Sequence, residues 1–344
     1  MNVAILNPVF WPEVRRGSER FAHELAVALG GRGHAVRIVA GHGGRTERGV
    51  QDGVEVVRVP RLPERRLDRR LYEQHLTHIP FTMRELRRRP PDVAHALHAT
   101  DAVAALRWGG PTVFSYMGIP HRAAIANRRL RKELLAGALR ADAVVVLSEH
   151  AAAETRRWLG VDPHVIAPPV DLAAFAPGDG RAPAPTVVCP ADRGEPRKRV
   201  DLLVAAVRRM DGVRLILDRR GAGGHGISAP FVELRDLDDR GALAAAYREA
   251  HVAALPSWGE AFGLVLVESM ACGTPSVGPT AELYDRPGVG AAFDGDDPAE
   301  LAAVLERAMN GADADACRER AQDFSAERCA AAYERLYDAA SPLS

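Results

Sequence analysis

The first forty residues contain the pattern that decides the fold; Met1–Ala40 reads MNVAILNPVFWPEVRRGSERFAHELAVALGGRGHAVRIVA. The apolar run Met1–Leu6 predicts a buried strand, and apolar residues then recur at helical spacing over Glu19–Leu29. Glycines end that helix before Ala35–Ala40, which is a second apolar strand. Strand, loop, helix and strand in this order form the repeating unit of a parallel sheet. The fold class is therefore α/β.

The same alternation continues along the 344 residues in two blocks, as expected for about two domains. In the first block, further strands are predicted at Val54–Val59, Val93–Ala96, Thr112–Ser115 and Ala143–Leu147, and a helix capped by Ser148 at Glu149–Leu159. The second block begins after FAPGDGRAPAP (Phe175–Pro185), a Pro/Gly-rich stretch predicted to be the linker. A cleft between two such domains is where open α/β sheets bind ligands.

Composition places the chain among soluble globular enzymes, with 47% hydrophobic and 26% charged residues. The net charge of +0 divides unevenly: 26 Lys+Arg against 17 Asp+Glu through Asp162 gives +9, and the remainder is −9. Four cysteines without a CxxC spacing indicate intracellular thiols. No apolar run reaches the roughly 18 residues of a spanning helix. We expect a cytoplasmic protein with at most peripheral membrane contact, and no recognised nucleic-acid module is present.

A second stretch, EAFGLVLVESMACGTP (Glu260–Pro275), predicts chemistry. A helix is expected to begin near Gly263, and the small residue leaves the first free amides open to an anion. Glu268 lies about a turn and a half further along, where it could accept hydrogen bonds from ribose hydroxyls. Glu260 would face the group beyond the phosphates. The open alternative is that Glu260 only complements the helix dipole and Glu268 faces solvent.

This stretch resembles the E-x7-E signature of retaining, nucleotide-sugar-dependent glycosyltransferases of family 4. Arg16–Val39 is similar to the GG-x-E helix of that family, with Arg16 in place of the first glycine and Gly17 keeping the close approach to the donor phosphates. Other matching segments are Val144–Gly160, Val165–Pro177, where Pro168-Pro169 replace Asn-Gly, Ala191–Val207 and Phe324–Tyr337.

The resemblance implies the GT-B fold, which has two facing Rossmann-like domains and a deep interdomain cleft. Residues 1–170 would form the acceptor-side domain, joined by the C-terminal helix at about 326–344. Residues 171–325 would form the domain that binds the nucleotide-sugar.

The resemblance also implies roles for individual residues. Arg193 and Lys198 match an Arg and a Lys that clamp the diphosphate, and Glu260 would orient the donor sugar. Donor contacts are implied for Gly17, Arg193, Lys198, Leu237, Glu260, Ala261, Phe262, Gly263, Leu264 and Glu268. Because cations and a helix end supply the positive charge, neither a metal nor a cofactor is expected.

A first-domain histidine is less simply matched. The family reads D-x-x-H-x-H at a strand end, whereas this chain has Asp92, His95, then Leu97, with His98 one residue later. A one-residue bulge would bring His98 to the reaction centre; otherwise the role is absent or falls to His95.

Weaker patterns have ordinary explanations. RDLDDR and FDGDDP contain D-x-D, the signature of metal-dependent transferases of another fold, but turn chemistry explains both. GAGGHG (Gly221–Gly226) lacks GxGxxG and predicts a flexible turn. His75 and His78 have no third metal ligand in the sequence nearby.

The acceptor is the least determined partner. RLPERRLDRRL, RELRRRP and RRLRK all lie in the first domain, so an anionic small molecule, a lipid-linked acceptor or anionic lipid heads are alternatives to a solvated face. The preferred function is retaining transfer of a hexosyl-type sugar from a UDP- or GDP-sugar. Alternatives are a nucleotide-sugar epimerase, a pseudo-glycosyltransferase, and a non-catalytic scaffold that binds a sugar nucleotide.

Overall fold

A computed structural model describes residues 1–11, 17–219 and 229–341. Arg16 and the GAGGHG stretch of the sequence analysis therefore lie outside the described residues. The chain divides into two compact units: the first is Met1–Pro169 with Ala326–Ser344, and the second is Val170–Ser325.

The strands are β1 (Asn2–Asn7), β2 (Ala35–His42), β3 (Glu47–Gln51), β4 (Val54–Pro60), β5 (Val93–Ala96), β6 (Thr112–Ser115), β7 (Ala143–Val146), β8 (His164–Val165), β9 (Thr186–Cys189), β10 (Arg214–Asp218), β11 (Val232–Arg235), β12 (Val252–Ala254), β13 (Ser276–Gly278) and β14 (Gly290–Ala292). The helices are α1 (Gly17–Gly31), α2 (Arg65–Arg69), α3 (Ile79–Arg88), α4 (Ala99–Trp108), α5 (Arg122–Ala126), α6 (Arg131–Ala138), α7 (Glu149–Leu159), α8 (Val200–Val207), α9 (Arg240–Glu249), α10 (Leu264–Ala271), α11 (Pro298–Asn310), α12 (Ala314–Gln322) and α13 (Ala326–Ala340).

The first unit is built on a sheet of order β3-β4-β2-β1-β5-β6-β7-β8, parallel except where β3 pairs antiparallel with β4. The chain runs outward from β1 through β2 to β4 and then returns to β5 on the other side of β1. Val3–Leu6 of β1 is fully buried, as its apolar run predicts. The carboxyl ends of β1 and β5 thus flank the switch point at which such sheets bind ligands.

The last helix of the chain, α13, packs on α1 within this unit. Its two tyrosines reach His95 on β5, a histidine that is fully buried. The Tyr337 hydroxyl lies 2.7 Å from His95 Nδ1, and Ser115 Oγ lies 2.7 Å from Nε2. Tyr333 continues the chain with its hydroxyl 2.8 Å from Ser115 Oγ. His95 is therefore a satisfied core residue that ties α13 to the sheet.

The second unit has a fully parallel sheet of order β11-β10-β9-β12-β13-β14. Two mixed α/β units with parallel sheets confirm the fold class. The predicted linker Phe175–Pro185 is wrong, because the chain passes between units at Pro169–Val170. Phe175 is buried with its ring 6.0 Å from that of Tyr247, so this stretch packs into the second unit despite its Pro/Gly-rich composition.

Strands with continuous apolar runs are confirmed nearly to the residue, and so is α7, with Ser148 Oγ accepting from the amide of Ala151 at 3.0 Å. Edge strand β3 escaped prediction. Its sequence, ERGVQ, has one apolar residue and is almost wholly exposed, so it carries no burial signal.

The buried histidine His95 makes folding stability depend on pH. Burial lowers its pKa to about 3, so the native protein keeps the ring neutral while the unfolded chain protonates it near pH 6.5. Stability is complete above pH 6.5 and falls with decreasing pH, by up to about 1.4 kcal/mol per unit for this residue. In urea unfolding from pH 7 to 4.5, His95→Gln should show a shallower pH slope than the wild type.

Tyr337→Phe is the matched control for this experiment. It removes one hydrogen bond of the same network, costing about 1 kcal/mol, but it leaves the titrating ring in place. Its pH slope should equal that of the wild type. Equal slopes for His95→Gln and the wild type would refute the assignment.

Candidate functional site

Some of the sequence-predicted donor residues, among them Lys198, Glu260 and Gly263, lie at the carboxyl ends of two adjacent strands of the second unit. After β9, the chain makes a 3-10 turn, Pro196–Lys198, before α8. After β12, the loop Ser257–Gly263 leads into α10. Because β9 and β12 are parallel neighbours, both loops leave the same edge of the sheet. The tertiary fold therefore brings two segments about sixty residues apart into contact.

The central contact joins Lys198 to Glu260. Lys198 Nζ lies 2.7 Å from Glu260 Oε1, and the side chains are 17% and 10% exposed. Arg197 Nη1 lies 3.3 Å from the same oxygen and 3.1 Å from the carbonyl oxygen of Gly259. Two cations thus converge on one half-buried carboxylate. Arg197 was not predicted, and its position in the run RKR beside Lys198 was the available signal.

Gly263 forms the turn into α10. It has φ 91° and ψ 58°, a left-handed conformation that glycine adopts without strain. Since glycine has no side chain, nothing of its own covers the amide of Leu264, the first residue of the helix. Thr280 Oγ1 donates to the carbonyl of Phe262 at 2.7 Å and fixes the turn. The turn thus begins helix α10 four residues after Glu260 on the same loop, as the anion hypothesis requires.

The neighbouring predicted residues differ in what they offer. Phe262 is buried, with its ring 5.1 Å from that of Phe324, so any donor contact it makes is through its backbone. Ala261 precedes it on the same loop. Leu237, after β11, is also buried, which limits it to backbone contacts.

Glu268 is buried in α10, where it is 2% exposed and accepts a hydrogen bond from the Tyr247 hydroxyl at 3.2 Å. The alternative in which Glu268 faces solvent is therefore wrong. A buried carboxylate needs hydrogen-bond donors, and Tyr247 supplies one. Its contact with ribose stays a prediction.

Arg193 lies on the loop after β9, against the end of β10. Its Nε donates to the carbonyl of Asp218 at 2.8 Å, and Nη2 donates to that of Arg219 at 2.7 Å. The structure thus does not bring Arg193 into contact with the Lys198–Glu260 pair. Its role at the diphosphate stays a prediction.

Arg199 is a second residue that the sequence analysis missed. It has φ 50°, in the left-handed region, and is 5% exposed. Its Nε donates to the carbonyl of Pro256 at 2.5 Å, and its guanidinium forms an ion pair with Asp296 and lies 5.6 Å from the centre of the Trp258 ring. It therefore ties the Lys198 turn to the Glu260 loop.

In the first unit, His98 does not continue β5 but caps helix α4. It has an extended backbone, and its Nδ1 lies 2.8 Å from Thr100 Oγ1 and accepts from the Thr100 amide at 3.4 Å. Burial lowers the pKa of the His98 ring. A neutral imidazole can donate one hydrogen bond and accept another, which suits recognition of a hydroxyl group.

His98 is one member of a polar cluster at the carboxyl end of β5. The ring of His75 lies 5.5 Å from that of His98, and burial lowers the pKa of His75 to about 3. His78 Nε2 lies 2.7 Å from Asp101 Oδ1, and both side chains are fully buried. Within the described residues, no group of three or more His, Cys, Asp or Glu side chains is placed to hold a metal ion.

The remaining predicted positions are also located. Gly17 is the first residue of α1 and is exposed, and the segment before it lies outside the described residues. The D-x-D stretches serve as helix caps: Asp239 accepts from the amide of Ala242 at 2.9 Å, and Asp297 from that of Ala299 at 2.9 Å. Turn chemistry is confirmed for both.

Two protein-family models match successive parts of the chain. Residues 15–174 match the family model Glycosyltransferase Family 4, and residues 184–311 match Glycosyl transferases group 1. The chain belongs to the family 4 glycosyltransferases. The two matches together cover most of this family 4 chain, and the first ends five residues beyond the boundary between the units at Pro169–Val170.

Relatives of this family 4 chain include D-inositol 3-phosphate glycosyltransferases of Mycobacterium bovis and Mycobacterium tuberculosis. They are 35% identical over 162 residues, covering 40% of this chain and 34% of each relative. The match thus spans about a third of the length of these curated relatives.

Solved structures show the GT-B fold. Sucrose-phosphate synthase from Thermosynechococcus elongatus has a TM-score of 0.83 and 20% identity over 100% of both chains. Anabaena HepE in complex with UDP-glucose has a TM-score of 0.76 and 17% identity over 98% of this chain and 100% of that one.

Replacing Gly263 tests how tightly the α10 turn is built. Gly263→Ala must hold φ 91° and brings a Cβ within 2.9 Å of Leu266 Cδ1, whereas Gly212→Ala, at φ 70°, meets no atom within 4 Å. The backbone cost of about 1–2 kcal/mol is shared. Gly263→Ala should therefore lower the free energy of unfolding in urea more than its matched control. Equal losses would mean that the turn accepts a side chain freely.

Proposed function

We propose that this chain is a retaining glycosyltransferase that moves a hexosyl group from a UDP- or GDP-sugar to an acceptor hydroxyl. The observation that carries the proposal is the convergence of Lys198 and Arg197 on Glu260, on the loop that leads into the N-terminus of α10. Support also comes from family membership and from the GT-B structure of HepE, which was solved with UDP-glucose.

The positive groups match the charge that a departing diphosphate develops. The α10 amides and Lys198 would bind the phosphate oxygens, and each charge-assisted hydrogen bond contributes about 1.5–3 kcal/mol. Arg193 would join them by exchanging its two backbone carbonyls for phosphate oxygens, which are stronger acceptors. We assign no metal or cofactor to the reaction, since these groups already supply the charge.

Glu260 would then be the group that changes partners. When Lys198 turns to the diphosphate, the freed carboxylate oxygens can accept from the sugar hydroxyls and orient the anomeric carbon. Glu268 would accept hydrogen bonds from the ribose hydroxyls through its carboxylate, which already accepts one from the Tyr247 hydroxyl. Gly17 and the backbone at Leu237, Ala261 and Phe262 complete the proposed donor contacts.

In the proposed reaction, the bond between the anomeric carbon and the diphosphate oxygen breaks, and the acceptor oxygen attacks from the same face. The leaving diphosphate takes the acceptor proton. No covalent sugar–protein bond forms, because the acceptor oxygen itself attacks the anomeric carbon. The protein would accelerate the reaction mainly by holding the donor and the acceptor in the reactive geometry. The acceptor, a small or lipid-linked molecule, would meet His98 and the polar cluster of the first unit, where neutral imidazoles suit hydroxyl groups.

Donor binding is tested by thermal shift with UDP, GDP, ADP and their glucose and mannose conjugates. One of the UDP or GDP ligands at 100 times its Kd should add about 2.7 kcal/mol of stability. Lys198→Met should fold, since Arg197 still neutralises Glu260, but should bind on the order of 10–100-fold more weakly. Lys132→Met, at the only other lysine in the chain, should bind as the wild type.

The chemistry is tested by incubating the responding donor with and without acceptors. Product formation with the anomeric configuration of the donor, observed by NMR, supports a retaining transferase, and inversion refutes it. Isomerisation of the sugar nucleotide without any acceptor would instead favour an epimerase. If no ligand shifts the melting temperature, or Lys198→Met binds as the wild type, the donor site is wrong.

The role of His98 is separable from its capping of α4. Asparagine is a good N-cap, so His98→Asn should keep the melting temperature while removing the imidazole. If His98 contacts the reacting hydroxyl, kcat should fall about 10–100-fold with donor affinity unchanged. His121, whose Nδ1 accepts from the Ala124 amide at 3.2 Å, also caps a helix, and His121→Asn is the matched control. Equal kcat values in both variants would restrict His98 to capping.

A further inference from the structure

The first unit carries an exposed surface in which leucines and arginines are mixed; we call it the leucine–arginine surface. It comprises Arg65, Arg66, Arg69, Arg70, Leu71, Arg129 and Leu130. Helix α2, which supplies the first three, has no buried residue. Leu71 is 58% exposed and Leu130 is 43% exposed. Neither leucine is explained by the core of the unit.

The two leucines are neighbours because the backbone joins their segments. The amide of Arg129 donates to the carbonyl of Leu71 at 2.7 Å, and the amide of Glu73 donates to the carbonyl of Arg129 at 3.0 Å. These bonds form a parallel bridge between Tyr72 and Arg129. The surface is therefore one patch, although its halves lie almost sixty residues apart in the chain.

Both leucines also hold an unfavourable backbone conformation. Leu71 has φ 59° and Leu130 has φ 67°, in the left-handed region that bulky side chains rarely adopt. Glycine or asparagine would fit either position with less strain. In the isolated protein the strain lowers stability, and the exposed side chain offsets little of that cost because it buries little apolar surface. The strain is retained where the surroundings impose it, most often at functional sites.

The cations of this region divide into two sets. Arg128 pairs with Asp68 at 3.4 Å, and Arg131 Nη2 lies 2.8 Å from Glu73 Oε1, so these two are structural. In the part of the chain that the structure describes, no carboxylate pairs with the four arginines of the α2 segment, Arg65, Arg66, Arg69 and Arg70. Two arginines of the basic run RRLRK are thus neutralised by carboxylates within the unit. The unpaired positive charge of this region lies around Leu71.

We infer that the leucine–arginine surface docks on an anionic lipid bilayer. Exposed leucines enter the boundary between headgroups and acyl chains, and surrounding arginines bind lipid phosphates, which is the usual pairing at such interfaces. Leucine cannot hydrogen-bond to phosphate or sugar, where about half to two-thirds of protein–DNA hydrogen bonds are made, so a nucleic acid is the less suitable partner. The contact is peripheral: among the described helices, none is long and apolar enough to cross a bilayer.

The test is vesicle sedimentation of the full chain without donor or acceptor, so its outcome is independent of the proposed reaction. Vesicles of phosphatidylcholine with 30% phosphatidylglycerol, a roughly physiological anionic fraction, should bind the protein, and binding should weaken as salt is raised. Pure phosphatidylcholine should bind at least about tenfold more weakly. Substitution of the four arginines of the α2 segment by Gln should give a similar loss.

Leu71→Gly with Leu130→Gly separates docking from folding. Glycine relieves the backbone strain, so the melting temperature should stay or rise while vesicle binding falls. Two control variants change exposed residues that do not belong to the leucine–arginine surface. They are Val50→Ser, at a valine that is 75% exposed, and Arg208→Gln with Arg209→Gln. Both should bind vesicles as the wild type does.

Three results would overturn the inference. The first is equal binding to neutral and anionic vesicles, and the second is unchanged binding by the double glycine variant. The third is binding of the wild type to duplex DNA or RNA in preference to anionic vesicles at the same salt concentration, which would assign the surface to a nucleic acid instead.

Discussion

The contact on which the candidate site depends is the half-buried carboxylate of Glu260, held by Lys198 and Arg197. A carboxylate that is 10% exposed must be neutralised, and the nearest loop that can do so is the turn after β9. This requirement ties the β9 turn to the loop that opens α10. It also places two cations against the loop that leads into the helix N-terminus, so the interaction that satisfies Glu260 prepares the site for an anion.

The support behind that contact comes from Arg199. Its guanidinium reaches the carbonyl of Pro256 and the carboxylate of Asp296, linking three segments of the second unit. A buried arginine is tolerated because it is paired and hydrogen-bonded. The left-handed backbone at Arg199 joins the Pro196–Lys198 turn to α8. In the first unit, the equivalent fixed element is His95, whose neutral ring joins β5 to the last helix.

Prediction from the sequence succeeded where one physical signal was sufficient. Continuous apolar runs located β1 and β7, and Ser148 was found as a cap because capping is local chemistry. It failed where tertiary contacts decide. The stretch Phe175–Pro185 has the composition of a linker, yet burial of Phe175 makes it part of a domain. Edge strand β3 forms because it pairs with β4, and the sequence of β3 contains no pattern that predicts this pairing.

The sequence by itself determined the α/β class, the family and the residues of the donor hypothesis, because periodicity, caps and the E-x7-E spacing are properties of short segments. Only the tertiary structure showed that Arg197 joins Lys198 on Glu260, that Glu268 is buried against Tyr247, and that His98 caps a helix. The same holds for the leucine–arginine surface, whose halves meet through a backbone bridge. Contacts between distant segments depend on how strands are ordered in the sheet, and no local pattern contains that order.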